Sequence, residues 1–148
     1  MKEQTILLVE DNPDDAELVL RTMKKQELHY NAVVARDGSE ALDYIFCAGM
    51  YDGRENCIPP ALIMMDIRLP KISGLEVLRK VRNHNPTKLL PVVMLTSSDE
   101  EHDLIESYTL GANSYIRKPV NYHRFQAVVN QLIQYWLIWN EVPSSFCE

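Results

Sequence analysis

The sequence predicts an α/β domain in which one parallel sheet is covered by helices on both faces. Five short apolar or β-branched segments recur along the chain, and segments with helical spacing and helix-start residues lie between them. Such alternation in a small domain implies right-handed crossovers and therefore parallel strands. No internal repeat or composition break suggests a second unit, so we expect a single domain over residues 1–148.

The candidate strands are continuous apolar runs, which fits strands that are buried on both faces. They cover residues 5–9, 32–35, 61–65, 92–95 and 115–116. Residues 49–60 show no periodicity and are expected to form a long loop before the third strand.

Capping signals bound the helices. Asn12 precedes a proline at the first helical position, and Ser98 with Glu101 forms an S-x-x-E capping box for a helix that Gly111 ends. The other helices are expected over residues 39–48, 73–83 and 121–139. A doubly wound domain of this kind has the flavodoxin-like strand order 2-1-3-4-5 and binds ligands outside the carboxyl ends of its strands.

Composition excludes several classes of protein. The net charge of -6 argues against nucleic acid as a partner, because binding to phosphates needs a basic face. The apolar run at residues 6–9 is too short for a signal peptide or a membrane span. We therefore expect a cytoplasmic protein with no membrane contact. Cys47, Cys57 and Cys147 form no C-x-x-C pair and are expected to be reduced thiols.

Polar residues follow four of the five candidate strands. Glu10 and Asp11 come after the first strand and Asp66 after the third, whereas Thr96 and Lys118 follow the fourth and the fifth. Because parallel strands end at the same edge of a sheet, these side chains are expected to converge on one pocket.

A pocket of this composition suits phosphoryl transfer. Clustered carboxylates repel each other unless a cation intervenes, and an oxygen-rich site favours Mg²⁺. An aspartate can form an acyl phosphate, and the transfer chiefly requires charge neutralisation, which Mg²⁺ and Lys118 would supply. The pattern therefore predicts Asp66 as a phosphoryl acceptor.

The same residues resemble the receiver domains of two-component response regulators. The matching motifs are L-L-V-E-D-N at 7–12, M-D-I-R-L-P at 65–70 with Gly74 after it, L-T-S at 95–97 and Y-I-R-K-P at 115–119. The long loop, the L-P-K after Asp66 and the late Y-W-L segment are similar to the receiver-only regulators of cyanobacterial and bacterial phytochrome kinases.

The resemblance implies that Asp66 is phosphorylated by a sensor histidine kinase, phytochrome-like on the narrower similarity. Mg²⁺ would be bound directly by Asp11, Asp66 and the backbone carbonyl of Arg68, and by Glu10 largely through water. The protein would catalyse its own phosphotransfer and dephosphorylation without being a turnover enzyme.

The resemblance also implies a switch. Thr96 would move toward the phosphoryl group while the Tyr115 ring turns inward to fill the vacated space. Lys118 would contact the phosphoryl group, and the Lys118–Pro119 peptide bond would be cis.

The last helix has an apolar band wider than one sheet-facing stripe requires. One interpretation is that its last turn folds back onto the domain. The other is a homodimer surface, and the resemblance favours dimerisation near the fourth helix, the fifth strand and the last helix.

Other interpretations are also open. A phosphatase of the haloacid dehalogenase type would need a D-x-D motif, but Arg68 occupies the second position. A flavin carrier would need a Gly/Ser/Thr-rich first loop, which here is E-D-N-P-D-D. A phosphorylation-independent binding module would not need the full acid, threonine and lysine set. Asp14 and Asp15 are interpreted as acids favoured by the helix dipole, and the four histidines as surface residues.

Overall fold

The computed structural model describes residues 4–54 and 57–143. Its strands form one parallel sheet in the order β2-β1-β3-β4-β5, which confirms the predicted flavodoxin-like topology. The elements in chain order are β1 Gln4–Val9, α1 Pro13–Lys25, β2 Tyr30–Ala35, α2 Gly38–Phe46, β3 Leu62–Met65, α3 Gly74–Arg82, β4 Val92–Thr96, α4 Glu101–Thr109, β5 Ser114–Arg117 and α5 Tyr122–Gln134. Within these ranges no helix is long and apolar enough to cross a membrane.

The sheet separates two hydrophobic clusters. On one face α2 and α3 pack against alternate residues of the central strands, and on the other face α1 and α5 pack against the remaining ones. All four residues of β3 are fully buried, whereas β2 and β5 at the sheet edges are partly exposed. The continuous apolar runs therefore mark the central strands, because only those strands are covered on both faces.

The predicted capping holds for α1 but is wrong for α4. The Asn12 side chain accepts hydrogen bonds from the first-turn amides at 2.9 and 3.2 Å. In contrast, α4 begins at Glu101 after Glu100, with no side-chain cap. The Ser98 hydroxyl, which the capping box would have used, donates instead to Asp103 at 2.6 Å.

The chain after α5 continues as a π-helical segment, Tyr135–Trp139. The Tyr30 hydroxyl donates to the Leu137 carbonyl at 3.1 Å, and Trp136 and Leu137 pack against the α1/α5 cluster. Part of the last turn thus packs on the domain, as in one of the two interpretations, whereas the neighbouring side chains of the segment are exposed.

The prediction of reduced thiols is wrong for two of the cysteines. Cys47 and Cys57 form a disulfide with a Cα–Cα distance of 5.9 Å. Between them, within the described residues, the chain returns to α2 at Arg54, whose guanidinium lies 4.1 Å from the Tyr44 ring centroid and donates to the Tyr44 carbonyl at 2.8 Å. Sequence spacing does not reveal this return of the chain. Cys147 lies outside the described residues.

The disulfide is expected to stabilise the domain by about 2–3 kcal/mol, because it closes a loop of 10 residues' separation and so restricts the unfolded chain. Chemical denaturation should therefore show that Cys47→Ser and Cys57→Ser lower the free energy of unfolding by similar amounts. Adding a dithiol reductant should lower it for the wild type alone. Two alkylatable thiols at these positions before reduction would contradict the assignment.

Candidate functional site

Backbone hydrogen bonds fix the ends of the central strands at one edge of the sheet. The Asp66 amide donates to the Val9 carbonyl at 3.0 Å, and the Lys118 amide donates to the Thr96 carbonyl at 2.7 Å. The acid after β3 is thereby held beside β1, and the lysine after β5 beside β4. The sheet itself sets the spacing of the site.

A buried ammonium group lies at the centre of this edge. Lys118 is 8% exposed, and its Nζ donates to Glu10 Oε1, to Asp15 Oδ2 at 2.9 Å and to Asp66 Oδ2 at 3.0 Å. Burial by itself would lower the pKa of this ammonium, but the hydrogen bond to Glu10 and the charges of Asp66 and Glu10 raise it. Lys118 therefore remains charged at physiological pH.

Glu10 is the most deeply buried acid of the group, at 3% exposure. Burial raises its pKa, while the hydrogen bond and charge of Lys118 and the amide of Asn12, which donates to Oε2 at 3.1 Å, act in the opposite direction. Burying a carboxylate without such partners would cost several kcal/mol. Glu10 and Lys118 thus make each other's burial possible.

The two carboxylate oxygens of Asp66 have different partners. Oδ2 accepts from Lys118, whereas Oδ1 accepts from the Ile67 amide at 2.7 Å and the Arg68 amide at 3.3 Å. The loop after Asp66 returns so closely that a Cβ atom on Gly74 would lie 2.1 Å from the Asp66 carbonyl oxygen. Glycine at this position is therefore needed for the acceptor loop to close.

Three carboxylates could hold a divalent cation. Oxygens of Glu10, Asp11 and Asp66 all lie within 4.8 Å of one another. Asp11 is exposed, so one side of the cluster is open to solvent. Such an oxygen set with an open side fits Mg²⁺ or Mn²⁺, which keep some of their coordination positions for water or a phosphoryl oxygen.

The residues predicted as the switch pair both bond to Ser98. Thr96 is fully buried and its Oγ1 accepts from the Ser98 amide at 3.2 Å. The half-buried Tyr115 packs against the α2/α3 cluster and donates its hydroxyl to the Ser98 carbonyl at 3.1 Å. The Tyr115 ring therefore points inward, and its hydroxyl is bound to the loop after β4.

Some expectations about the site need correction. No peptide bond among the described residues is cis, so the cis Lys118–Pro119 bond implied by the resemblance is wrong. The trans form is intrinsically favoured by about 0.5–1 kcal/mol, and Lys118 makes its contacts from it. Asp15, interpreted as a dipole-favoured acid, is a partner of Lys118. The sequence places Asp15 in the first turn of α1, but it places Asp14 there as well and so does not indicate which of the two contacts Lys118.

The Arg68 side chain takes part in a network that sequence inspection missed. Its Nη2 lies 2.8 Å from Asp103 Oδ2 and 3.1 Å from Glu100 Oε2. The S-x-x-E pattern predicted that Ser98 pairs with Glu101, whereas the buried acid that it contacts is Asp103, two residues later. The metal-binding role of the Arg68 carbonyl stays a prediction.

Comparison with known proteins identifies the family. The profile described as response regulator receiver domain matches residues 6–130. The chain belongs to the receiver domain family of response regulators. The receiver is thus a component of two-component phosphorelays, and the phosphatase alternative is not favoured. Its family is one of signalling domains rather than of turnover enzymes.

Three relatives are similar over nearly the full chain. Response regulator Rcp1 of Synechocystis sp. is 35% identical over 142 residues, covering 96% of this chain and 95% of Rcp1. The structure of the phosphorylated cyanobacterial phytochrome response regulator RcpA matches with a TM-score of 0.90 at 34% identity, covering 97% of this chain and 100% of RcpA. The bacteriophytochrome response regulator AtBRR matches with a TM-score of 0.75 at 43% identity, covering 98% and 100%.

A structure of Rcp1 in its Mn²⁺-bound form also matches, with a TM-score of 0.89 at 35% identity over 95% of this chain and 99% of Rcp1. The acidic cluster of this receiver is composed of the same kind of ligands that a divalent ion requires.

Lys118→Met should destabilise the metal-free receiver by about 3–5 kcal/mol, because it leaves the carboxylates of Glu10 and Asp66 buried without their counter-charge. Mg²⁺ should then raise the melting temperature more in the variant than in the wild type, since the ion replaces the missing positive charge. Thermal denaturation with and without Mg²⁺ measures both effects.

The matched control is Lys88→Met, which removes an exposed ammonium elsewhere on the surface. It should change neither the stability nor the response to Mg²⁺. Equal behaviour of the two variants would refute the central role given to Lys118.

Proposed function

We propose that this receiver accepts a phosphoryl group on Asp66 from a sensor histidine kinase. The observation that carries the proposal is the convergence on one carboxylate of a buried ammonium and two further acids. Lys118 Nζ lies 3.0 Å from Asp66 Oδ2, and oxygens of Glu10 and Asp11 lie within 4.8 Å of the Asp66 ligand oxygen. Asp66 is 7% exposed, so a phosphoryl group bound there would be partly shielded from water.

In the proposed reaction an Asp66 oxygen attacks the phosphorus of a phosphohistidine. The phosphorus–nitrogen bond breaks and its electron pair stays on the leaving imidazole nitrogen, which takes up a proton from solvent. Lys118 then exchanges part of its contact with Asp66 for a phosphoryl oxygen, and the Thr96 hydroxyl can donate to another. Mg²⁺, held by Glu10, Asp11, Asp66 and the Arg68 carbonyl, would supply positive charge to the phosphoryl oxygens.

The relatives support a light-sensing partner. RcpA and AtBRR are described as phytochrome and bacteriophytochrome response regulators, and the RcpA structure is phosphorylated. We therefore propose a phytochrome-like histidine kinase as the phosphodonor, acting on this receiver domain in the cytoplasm. The phosphorylated receiver would act through altered binding to a partner protein, and the acidic net charge of -6 supports a protein rather than a nucleic acid as that partner.

Asp66→Asn should abolish phosphorylation by a small acyl phosphate such as acetyl phosphate in the presence of Mg²⁺. The amide cannot form the acyl phosphate, although it occupies the same volume and keeps one acceptor oxygen. Intact-protein mass spectrometry should show one added phosphoryl group on the wild type and none on the variant.

Asp14→Asn is the control, because Asp14 is an exposed acid three residues after Asp11 that does not belong to the acidic cluster. Its labelling should equal that of the wild type. A label that persists in Asp66→Asn, or that maps to another residue by peptide sequencing, would exclude Asp66 as the acceptor.

We also propose that the receiver forms a homodimer through its C-terminal surface. Tyr135, Ile138, Trp139 and Val142 are 53%, 52%, 74% and 42% exposed and form an apolar surface on and after the π-helical segment. Exposed aromatic side chains of this density are typical of interfaces.

Trp139→Glu should weaken the dimer at least tenfold, since a charge at an aromatic interface position would be desolvated without a partner. Light scattering at micromolar concentration should give two chains per particle for the wild type and one for the variant. Leu89→Glu, at a 54% exposed position far along the chain from this surface, should leave the dimer intact. One wild-type chain per particle, both with and without phosphorylation, would rule the interface out.

A further inference from the structure

A second polar cluster lies beside the acceptor site, and its side chains have no part in the phosphoryl chemistry described above. Its central group is the carboxylate of Asp103 on α4, which is 5% exposed. Asp103 Oδ2 accepts from the Ser98 hydroxyl at 2.6 Å and from Arg68 Nη2 at 2.8 Å. One oxygen therefore joins the loop after β3 to the loop after β4.

Both partners of Asp103 are two residues away from a site residue. Arg68 follows Asp66, and its amide donates to Asp66 Oδ1 at 3.3 Å. Ser98 follows Thr96, and its amide donates to Thr96 Oγ1 at 3.2 Å. Asp103 is thus linked to Asp66 through Arg68 and to the Thr96 hydroxyl through Ser98, because each of these two residues bonds to Asp103 by its side chain and to the site by its amide.

Ser98 is held on every polar atom. Besides the bonds to Thr96 and Asp103, its hydroxyl accepts from the Glu100 amide at 3.3 Å, and its carbonyl accepts from the Tyr115 hydroxyl at 3.1 Å. The position of Ser98 therefore defines the position in which the Tyr115 hydroxyl is bound. The hydrogen bond from Ser98 and the charge of Arg68 lower the pKa of Asp103, so its carboxylate is ionised at neutral pH and accepts strongly.

We propose that Asp103 is a positioning residue that holds Ser98, and through it the inward Tyr115, in place. The inference rests on the proposed phosphorylation of Asp66. If phosphorylation and Asp103 favour the same arrangement of Tyr115, thermodynamic reciprocity requires that removing Asp103 weakens phosphoryl binding at Asp66. Asp103 would then act on the reaction without touching the reacting atoms.

The test uses the full chain labelled with 3-fluorotyrosine and beryllofluoride with Mg²⁺ as a phosphoryl analogue. The chain has seven tyrosines, so Tyr115→Phe identifies the resonance of interest. In the wild type saturated with beryllofluoride, this ¹⁹F resonance should have the chemical shift of the inward, buried Tyr115. In Asp103→Asn the resonance should start near the solvent-exposed value and move to the wild-type position, with a beryllofluoride midpoint at least fivefold higher.

Two further variants separate positioning from a general loss of structure. Ser98→Ala keeps the Arg68–Asp103 pair and should reproduce the displaced Tyr115 resonance. The double variant Ser98→Ala/Arg68→Gln should raise the beryllofluoride midpoint by less than the product of the two single fold-changes, because both substitutions act through the Asp103 carboxylate. Asp99→Asn, an exposed acid on the same loop that pairs with Arg117 at 3.5 Å, should behave as the wild type.

Unchanged resonance and midpoint in Asp103→Asn, or additive effects of Ser98→Ala and Arg68→Gln, would overturn the inference. Failure of the wild type to bind beryllofluoride at all would instead refute the phosphorylation of Asp66.

Discussion

The site depends on charge compensation between Lys118 and the acids around it. An ammonium and three carboxylates share a space at the sheet edge where Lys118 and Glu10 are almost fully buried. Each of these groups would be costly to bury alone, and their mutual contacts offset that cost. A site balanced in this way responds to any added charge, whether a divalent cation or a phosphoryl group, because either changes which partner Lys118 prefers.

The sheet turns this local balance into a positioned site. The parallel order brings β1, β3 and β5 to one edge, although Glu10 and Lys118 are 108 residues apart in the chain. The close return of the loop at Gly74 fixes the backbone of Asp66. The next two backbone amides donate to Asp66 Oδ1, whereas Lys118 donates to Oδ2. The same edge carries Thr96, which leads through Ser98 to Tyr115. The acceptor and the switch residues are therefore positioned by the strands of the same sheet.

Much of the fold and of the site could be predicted because the relevant signals are local. Continuous apolar runs marked the buried strands, and the Asn12-Pro13 pair marked the start of α1. The family followed from motifs at the strand ends, and the strand order followed from the alternation of strands and helices in a doubly wound domain. The errors occurred where a residue's partner is distant or ambiguous. Ser98 is suited to cap a helix, yet a buried carboxylate that no pattern in the sequence indicates competes for its hydroxyl.

The sequence by itself determined the fold class, the sheet topology and the residue types that meet at its edge, because apolar periodicity and strand-end chemistry are properties of consecutive residues. Only the tertiary structure decided which acids Lys118 contacts, that Cys47 meets Cys57, that the bond before Pro119 is trans and that Asp103 joins Arg68 to Ser98. These features depend on how loops and helix ends return to the sheet. That return is set by packing among many residues and by the burial of charge, which no short stretch of sequence contains.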